Sequence, residues 1–268
     1  MAFRIVVCAK EVLDPDAVNN YALEGRLVIG DDGKTLTQSS IPRLMNAYDE
    51  QAIEAALRLR EGGLDCTLAV VSVGVDPGEI LKHAAALGAD ETFAIAHDAT
   101  AGDHHVVARL LAAFVRGRGA DLVLCGRQAS DDDQGVVPAF VAELLGMPVV
   151  TVARSVAVVN GAVRVVRVTP DGDETVEVAA PAVVTISNEL GQPRYPTMAG
   201  RMAARKKKTT RLTPAELGLE TAALRSQVVL TRQFVPTVKG ACEMVEAASP
   251  AEAARLLVAR LRAENVLR

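Results

Sequence analysis

The chain has 268 residues, enough for one large core with appendages, and a formal net charge of -4. Apolar residues make up 50% and charged residues 23%, which excludes a disordered chain, and the mildly acidic balance argues against nucleic acid as a partner. Aromatic content is 3% with no Trp, so a bound cofactor is expected to be gripped mainly by backbone and aliphatic groups.

The start, MAFRIVVCAKEV, meets Arg4 and then Lys10, so it lacks the long apolar stretch of a signal peptide. Cys8, Cys66, Cys125 and Cys242 are scattered without a C-x-x-C pair, which predicts a reduced, cytoplasmic chain. The longest nearly uncharged stretch, Gly135 to Ala153, carries Glu143 and is broken by Pro138, Gly146 and Pro148, so no membrane insertion is expected.

The first 150 residues alternate β-rich with amphipathic runs, the pattern of βαβ units around a parallel sheet. Residues 4–9, 67–73, 91–96 and 121–125 read as strands, mostly continuous Val, Ile and Leu as strands buried on both faces should be. Asn46 is a good N-cap for a helix whose Ile53, Ala56 and Leu57 share a face. A shorter helix over 78–87 closes at Gly88. Two further amphipathic runs carry Val107, Leu110, Leu111 and Phe114, and then Val136, Val137, Phe140, Val141, Leu144 and Leu145. After Pro148 the period becomes two, with turns at Asn160-Gly161 and Asp171-Gly172, which predicts an antiparallel meander. Residues 181–187 form a strand candidate returning to the main sheet, and 188–211 read as a long polar excursion ending in a basic run. Little regularity follows until Ser249-Pro-Ala-Glu252, a capping box opening a last helix that needs an apolar partner.

Chemistry concentrates in DLVLCGRQASDDDQGVVPAF, where a buried strand ends, Gly126 allows close approach and a polar loop leads to a helix expected from Gln134 or Gly135. Free N–H groups at such a start suit a phosphate, whereas Asp131, Asp132 and Asp133 equally suit plain helix capping. Lys10 and Val73-Gly74 stand at other strand ends, where Lys10 is available to a phosphate or a carboxylate, a solvated lysine being the commoner case. His104-His105 lacks partners at metal-ligand spacing, and neither a P-loop nor a hydrolase triad is found. On the residues alone, a free-standing adenine-nucleotide sensor remains open.

Taken in order, VVCAK, NAYDEQAIEAALRL, Gly88-Ala89-Asp90, DLVLCGRQASDDD and PAVVTISNELGQPRYPTMAGRMAARKKK resemble the beta subunit of electron transfer flavoproteins over almost the whole chain. The resemblance implies a Rossmann-like α/β nucleotide-binding domain over 1–187 that includes a meander at 149–180. It further implies a recognition loop at 188–211 and a C-terminal arm at 212–268 that contacts an alpha subunit. The implied function is electron carriage and not catalysis by this chain, with an FAD shared with the alpha subunit and an AMP held by the beta subunit. Carried over by motif, the cofactor-binding residues are Cys8, Asn46, Tyr48, Asp49, Val73, Gly126, Gln128, Asp131, Gly135, Val136 and Val137. Tyr195, Met198, Arg201 and Arg205 are the implied docking residues for flavin dehydrogenases, with a quinone reductase as acceptor. A subset of the family bifurcates electrons and holds a second FAD over an Asp-Gly-Asp-Thr loop. Asp132 and Gln134 depart from that pattern and favour AMP, while Val136 and Pro138 depart from the family's usual Gln and Gly.

Overall fold

Alternation along the first strand sets the architecture. In β1 (Phe3–Cys8) Ile5 and Val7 join one apolar cluster, Val6 and Cys8 another, and all four are buried. A strand buried on both faces needs helices on both, and the chain supplies them. On one face lie α2 (Ala47–Glu61) and α3 (Gly78–Leu87); on the other lie α4 (His104–Arg118) and α5 (Val137–Leu145). Each fully buried Leu or Ile contributes roughly 2 kcal/mol relative to exposure, so the two clusters are the main source of stability. This computed structural model describes residues 2–37, 39–98, 102–236 and 242–267.

The remaining strands are β2 (Glu11–Leu13), β3 (Arg43–Met45), β4 (Cys66–Gly74), β5 (Glu91–Ala96), β6 (Leu122–Gly126), β7 (Val149–Val159), β8 (Ala162–Thr169), β9 (Gly172–Ala179), β10 (Ala182–Ile186) and β11 (Thr210–Leu212). Among the described residues they form a nine-stranded sheet in the order β11-β5-β4-β1-β6-β10-β7-β8-β9, with β2 and β3 paired separately. The expected mixed α/β fold is found, but the meander is no separate layer. β7 pairs parallel with β10 through Val149–Ala153 and antiparallel with β8 through Ala153–Val159, so one strand serves both halves. Val152 stands at the change of partner with φ 61, an uncommon value for a β-branched residue. The Asn160-Gly161 turn carries φ 52 and 81, the left-handed pair that a two-residue hairpin requires.

One expectation is corrected, and one helix is added. The segment after residue 187 does not simply leave the core: α6 (Met198–Ala204) packs on α3, and β11 then pairs parallel with β5 at the far edge of the sheet. The three residues of β11, Thr210-Arg211-Leu212, are too short to reveal a strand by period. Between β2 and β3 an unforeseen helix, α1 (Pro15–Leu23), starts where the Asp14 carboxylate accepts from the Asp16 and Ala17 amides.

The chain divides into two compact units, Met1–Gln233 and Phe234–Arg268. The second unit contains α7 (Pro250–Ala263). The expected cap is present, with Ser249 Oγ accepting from the Glu252 amide at 3.3 Å and the Glu252 carboxylate accepting from the Ala248 amide at 3.2 Å. Leu256, Leu257 and Val258 on this helix are exposed.

Candidate nucleotide crevice

Strand order locates the crevice. From β1 the chain proceeds outward through β4 and β5, and from β6 it proceeds through the strands on the opposite side, so β1 and β6 flank the point where the winding reverses. Outside the carboxyl ends of such a pair, the connecting loops diverge and leave a crevice for a ligand.

Asn46 and Asp49 at the start of α2, with Gly126 at the end of β6, build its floor. Asp49 is 6% exposed, and its carboxylate accepts the Lys10 amide at 2.8 Å and the Gly126 amide at 2.8 Å, joining the ends of β1 and β6. Burial pushes the Asp49 carboxyl up to about 6, against the opposing pull of those amides and of Asn46. Gly126 is required there: a Cβ would collide with Asp49 Oδ1 and stand 2.7 Å from Tyr48 Cβ and 2.9 Å from the Tyr48 carbonyl carbon. Asn46 occupies the N-cap position of α2 but its side chain does not cap the helix. Its amide donates to the Gln128 carbonyl at 2.9 Å and its oxygen accepts from the Ser130 amide at 3.2 Å, which ties the following loop to the floor.

The loop from Arg127 to Val136 is folded on its own side chains. Lys10 Nζ lies 2.7 Å from Asp131 Oδ1 and 3.0 Å from Asp132 Oδ2, so of the phosphate or carboxylate expected to meet this lysine the loop itself supplies carboxylates. Burial opposes the charge on Lys10, but these two carboxylates outweigh it and raise the ammonium above its ordinary value. Asp132 also accepts from His104 Nε2 at 3.0 Å and from the Gln134 amide at 3.1 Å. Against burial, these contacts and Lys10 hold its carboxyl below the usual range. Asp133 accepts from the Gln128 side chain at 2.7 Å and adopts φ 52.

The helix expected from Gln134 or Gly135 begins later, at Val137, because Gly135 takes φ 62 and a helix cannot pass through that conformation. Gly135 is exposed beside the loop, and a Cβ on it would stand 3.0 Å from the Arg127 carbonyl oxygen. In the first turn of α5 the Val137 and Ala139 amides lack intrahelical acceptors, as at every helix start, while Pro138 between them carries no N–H. Ser130 Oγ is buried without a hydrogen-bond partner among the described residues.

Of the other residues expected at the crevice, Cys8 and Cys125 are partners in the β1–β6 register. Contact with the Cys8 thiol, then burial, raises the Cys125 thiol well above its ordinary value, which leaves it inert. Tyr48 receives the Arg127 guanidinium over its ring, 5.5 Å from the centroid, and Arg127 takes its own amide bond to the Ile186 carbonyl at 2.9 Å. Val73 lies near the end of β4, half-buried. Tyr195, Met198, Arg201 and Arg205 belong to a different feature, the stretch around α6 packed on α3, where Tyr195 is 90% and Met198 76% exposed. Sequence reasoning missed the Lys10–Asp131–Asp132–His104 cluster and the Arg127–Tyr48 contact. Only the β1–β6 register and the approach of α4 bring these groups together, and no local spacing announces that.

The sequence profile of the electron transfer flavoprotein domain matches residues 34–217. The chain is 32% identical over 247 residues to the electron transfer flavoprotein subunit beta of Syntrophomonas wolfei, an alignment covering 92% of this chain and 91% of that protein. It is 35% identical over 246 residues to the subunit of the same description in Thermoanaerobacterium thermosaccharolyticum, covering 87% and 92%. It is also 32% identical over 270 residues to the caffeyl-CoA reductase-Etf complex subunit CarD of Acetobacterium woodii, covering 98% and 100%.

Proposed function

This chain belongs to the electron transfer flavoprotein family, as a beta subunit, and on that footing we propose that it holds AMP in the β1–β6 crevice and, paired with an alpha subunit, carries electrons from flavin dehydrogenases to a quinone reductase or another acceptor. Family membership sets aside the free-standing sensor. The observation that carries the nucleotide reading is the crevice itself: a loop fixed from below by Asn46 and Asp49, with first-turn amides of α5 at its exit. The residues fit a nucleotide. Amides at Gly135, Val136 and Val137 suit a phosphate, and the buried Ser130 hydroxyl gains from a ligand the partner that the protein does not supply.

The FAD shared with the alpha subunit supplies the redox chemistry when bound. This chain's own residues bind and orient: Cys8, Val73, Gly126 and Gln128 line the crevice, and Tyr48, backed by Arg127, offers a ring at its rim. Electron transfer between carriers needs no general acid, base or nucleophile, in keeping with a carrier subunit. Tyr195, Met198, Arg201 and Arg205 are the docking residues for the dehydrogenase. Met198 offers a flexible apolar anchor and the arginines steer the encounter. A cytoplasmic setting suits a chain whose four cysteines are all free. Among the described residues no helix is long and apolar enough to cross a membrane.

A second reading, a second FAD in place of AMP within an electron-bifurcating complex, is favoured by the alignment along the full length of a subunit from a reductase–Etf complex. Co-expression with the alpha partner, denaturation of the purified heterodimer and counting of released cofactors separate the two. One FAD with one AMP per heterodimer is expected; two FAD without AMP would establish the bifurcating alternative.

A further inference from the structure

The segment that carries the docking residues is bolted to the domain at two places, on two different helices. On α2, the Arg194 guanidinium reaches Glu54 through Nε at 2.7 Å and Glu61 through Nη1 at 2.5 Å and Nη2 at 2.9 Å. Glu54 is buried, and against the cost of that burial Arg194 and Arg58 hold its carboxyl below the ordinary range. The chain just before Arg194 is strapped to the same helix. Arg58 donates to the Leu190 carbonyl at 2.8 Å, and Gln51 donates to the Gly191 carbonyl at 3.3 Å. On α3, Gly200 lies so close that a Cβ would strike the Ala86 carbonyl oxygen, Ala204 packs against Ala85 and Ala86, and Lys207 Nζ caps the Ala89 carbonyl. Between the two anchorages the chain stands clear, with Tyr195 and Met198 exposed, and Met202 is exposed one turn along α6.

Long surface segments are ordinarily free to sample many shapes, and a partner that must freeze one of them loses affinity. A bidentate arginine on a buried carboxylate is among the stronger and more directional of polar contacts. An intimate Gly–backbone contact fixes α6 in height as well as direction. We propose that Arg194 and Gly200 are positioning residues for partner docking: they fix the stretch between them over α2 and α3, so that Tyr195 and Met198 meet the dehydrogenase already in their bound geometry. The inference rests on the docking function given above to Tyr195, Met198, Arg201 and Arg205, and goes further in making the affinity of that surface depend on two residues outside that set.

The test uses the purified heterodimer and a flavin dehydrogenase whose electrons the wild type accepts, with Arg194→Gln, Arg194→Lys, Gly200→Ala, Met198→Ala and the Arg194→Gln/Met198→Ala double variant. The readouts are KM for the heterodimer, kcat, FAD and AMP content, and the rate of reduction by dithionite. Arg194→Gln and Gly200→Ala should each raise KM on the order of tenfold by releasing a preorganised segment. Their kcat, cofactor content and dithionite rate should stay at wild-type values. Arg194→Lys should recover part of the loss, and the double variant should be little worse than Met198→Ala alone, because both lesions act through one anchor. Wild-type KM in Arg194→Gln alongside a raised KM in Met198→Ala would overturn the positioning role, even if Gly200→Ala fails to fold. Cofactor loss in step with KM would overturn it too, since that marks general unfolding. Wild-type KM in Met198→Ala would remove the docking function and the proposal with it.

Discussion

Replacing Gly126 by Ala should destabilise the larger unit far more than a single methyl ordinarily does. The new Cβ meets the Tyr48 backbone and Cβ at 2.9 and 2.7 Å, and the Asp49 carboxylate closer still, so the start of α2 must retreat by about 1 Å to reach ordinary contact. Overpacking of this kind costs about 1–3 kcal/mol, and the retreat also stretches the bond from the Gly126 amide to a buried carboxylate, worth about 1.5–3 kcal/mol. Together the expected loss is about 3–5 kcal/mol, or roughly 10 °C in Tm for a unit of this size. Gly117→Ala is the internal control, because Gly117 lies in α4 with nothing within 4 Å of its would-be Cβ. There the substitution should stabilise by up to about 1 kcal/mol through helix propensity. Urea unfolding of the heterodimer, with nucleotide content measured alongside, reads both effects. If Gly126→Ala falls within about 0.5 kcal/mol of wild type with nucleotide retained, the close approach of α2 to the β6 end does not govern the crevice.

Asp49 carries a pH signature. Its carboxyl is raised from 3.8 to about 6 in the folded chain, so between those values the folded state holds more proton than the unfolded state, and stability falls as pH rises through that window. The difference between wild type and Asp49→Asn should therefore move against wild type by up to about 3 kcal/mol from pH 4 to pH 7, and a flat difference in urea midpoints refutes the assignment. Lys10→Met should cost only about 0.5–1 kcal/mol of stability, because the ammonium is partly exposed. By freeing Asp131 and Asp132 it should nonetheless weaken AMP retention on gel filtration about tenfold, and unchanged retention would show that the loop keeps its shape without the ion pairs. Ser249→Ala should remove about 1 kcal/mol from α7, visible as faster amide exchange across residues 250–263 and refuted by an unchanged rate.

The parallel half of the sheet was legible because strands buried on both faces are written mostly in β-branched and aliphatic residues, as the Val and Leu of 67–73 and 121–125 show. The meander was legible because Asn160-Gly161 supplies the backbone a tight hairpin demands. What escaped was short or non-local. β11 has three residues and no period of its own; it exists because β5 offers an unpaired edge. At the crevice, the contacts that the side chains make were not legible from their local sequence. Asn46 had the chemistry of a cap, yet the proximity of Gln128 and Ser130 diverts its side chain, and Lys10 meets aspartates 121 and 122 positions away instead of solvent. Those outcomes depend on which strands are neighbours, information that no window of the sequence contains.

The position of β10 has a bearing on how the chain reaches its fold during synthesis. Its five buried residues fill the gap between β6 and β7, which are made earlier on the chain and joined to each other only through it. Until residue 186 has left the ribosome, β6 ends one growing sheet and β7 begins another, each with an open row of amides and carbonyls. The hairpins of β7, β8 and β9 close locally and early, whereas those two raw edges wait for a single late strand. That interval is when another nascent copy of the chain would find a matching template, and β10 ends it by sealing both edges at once.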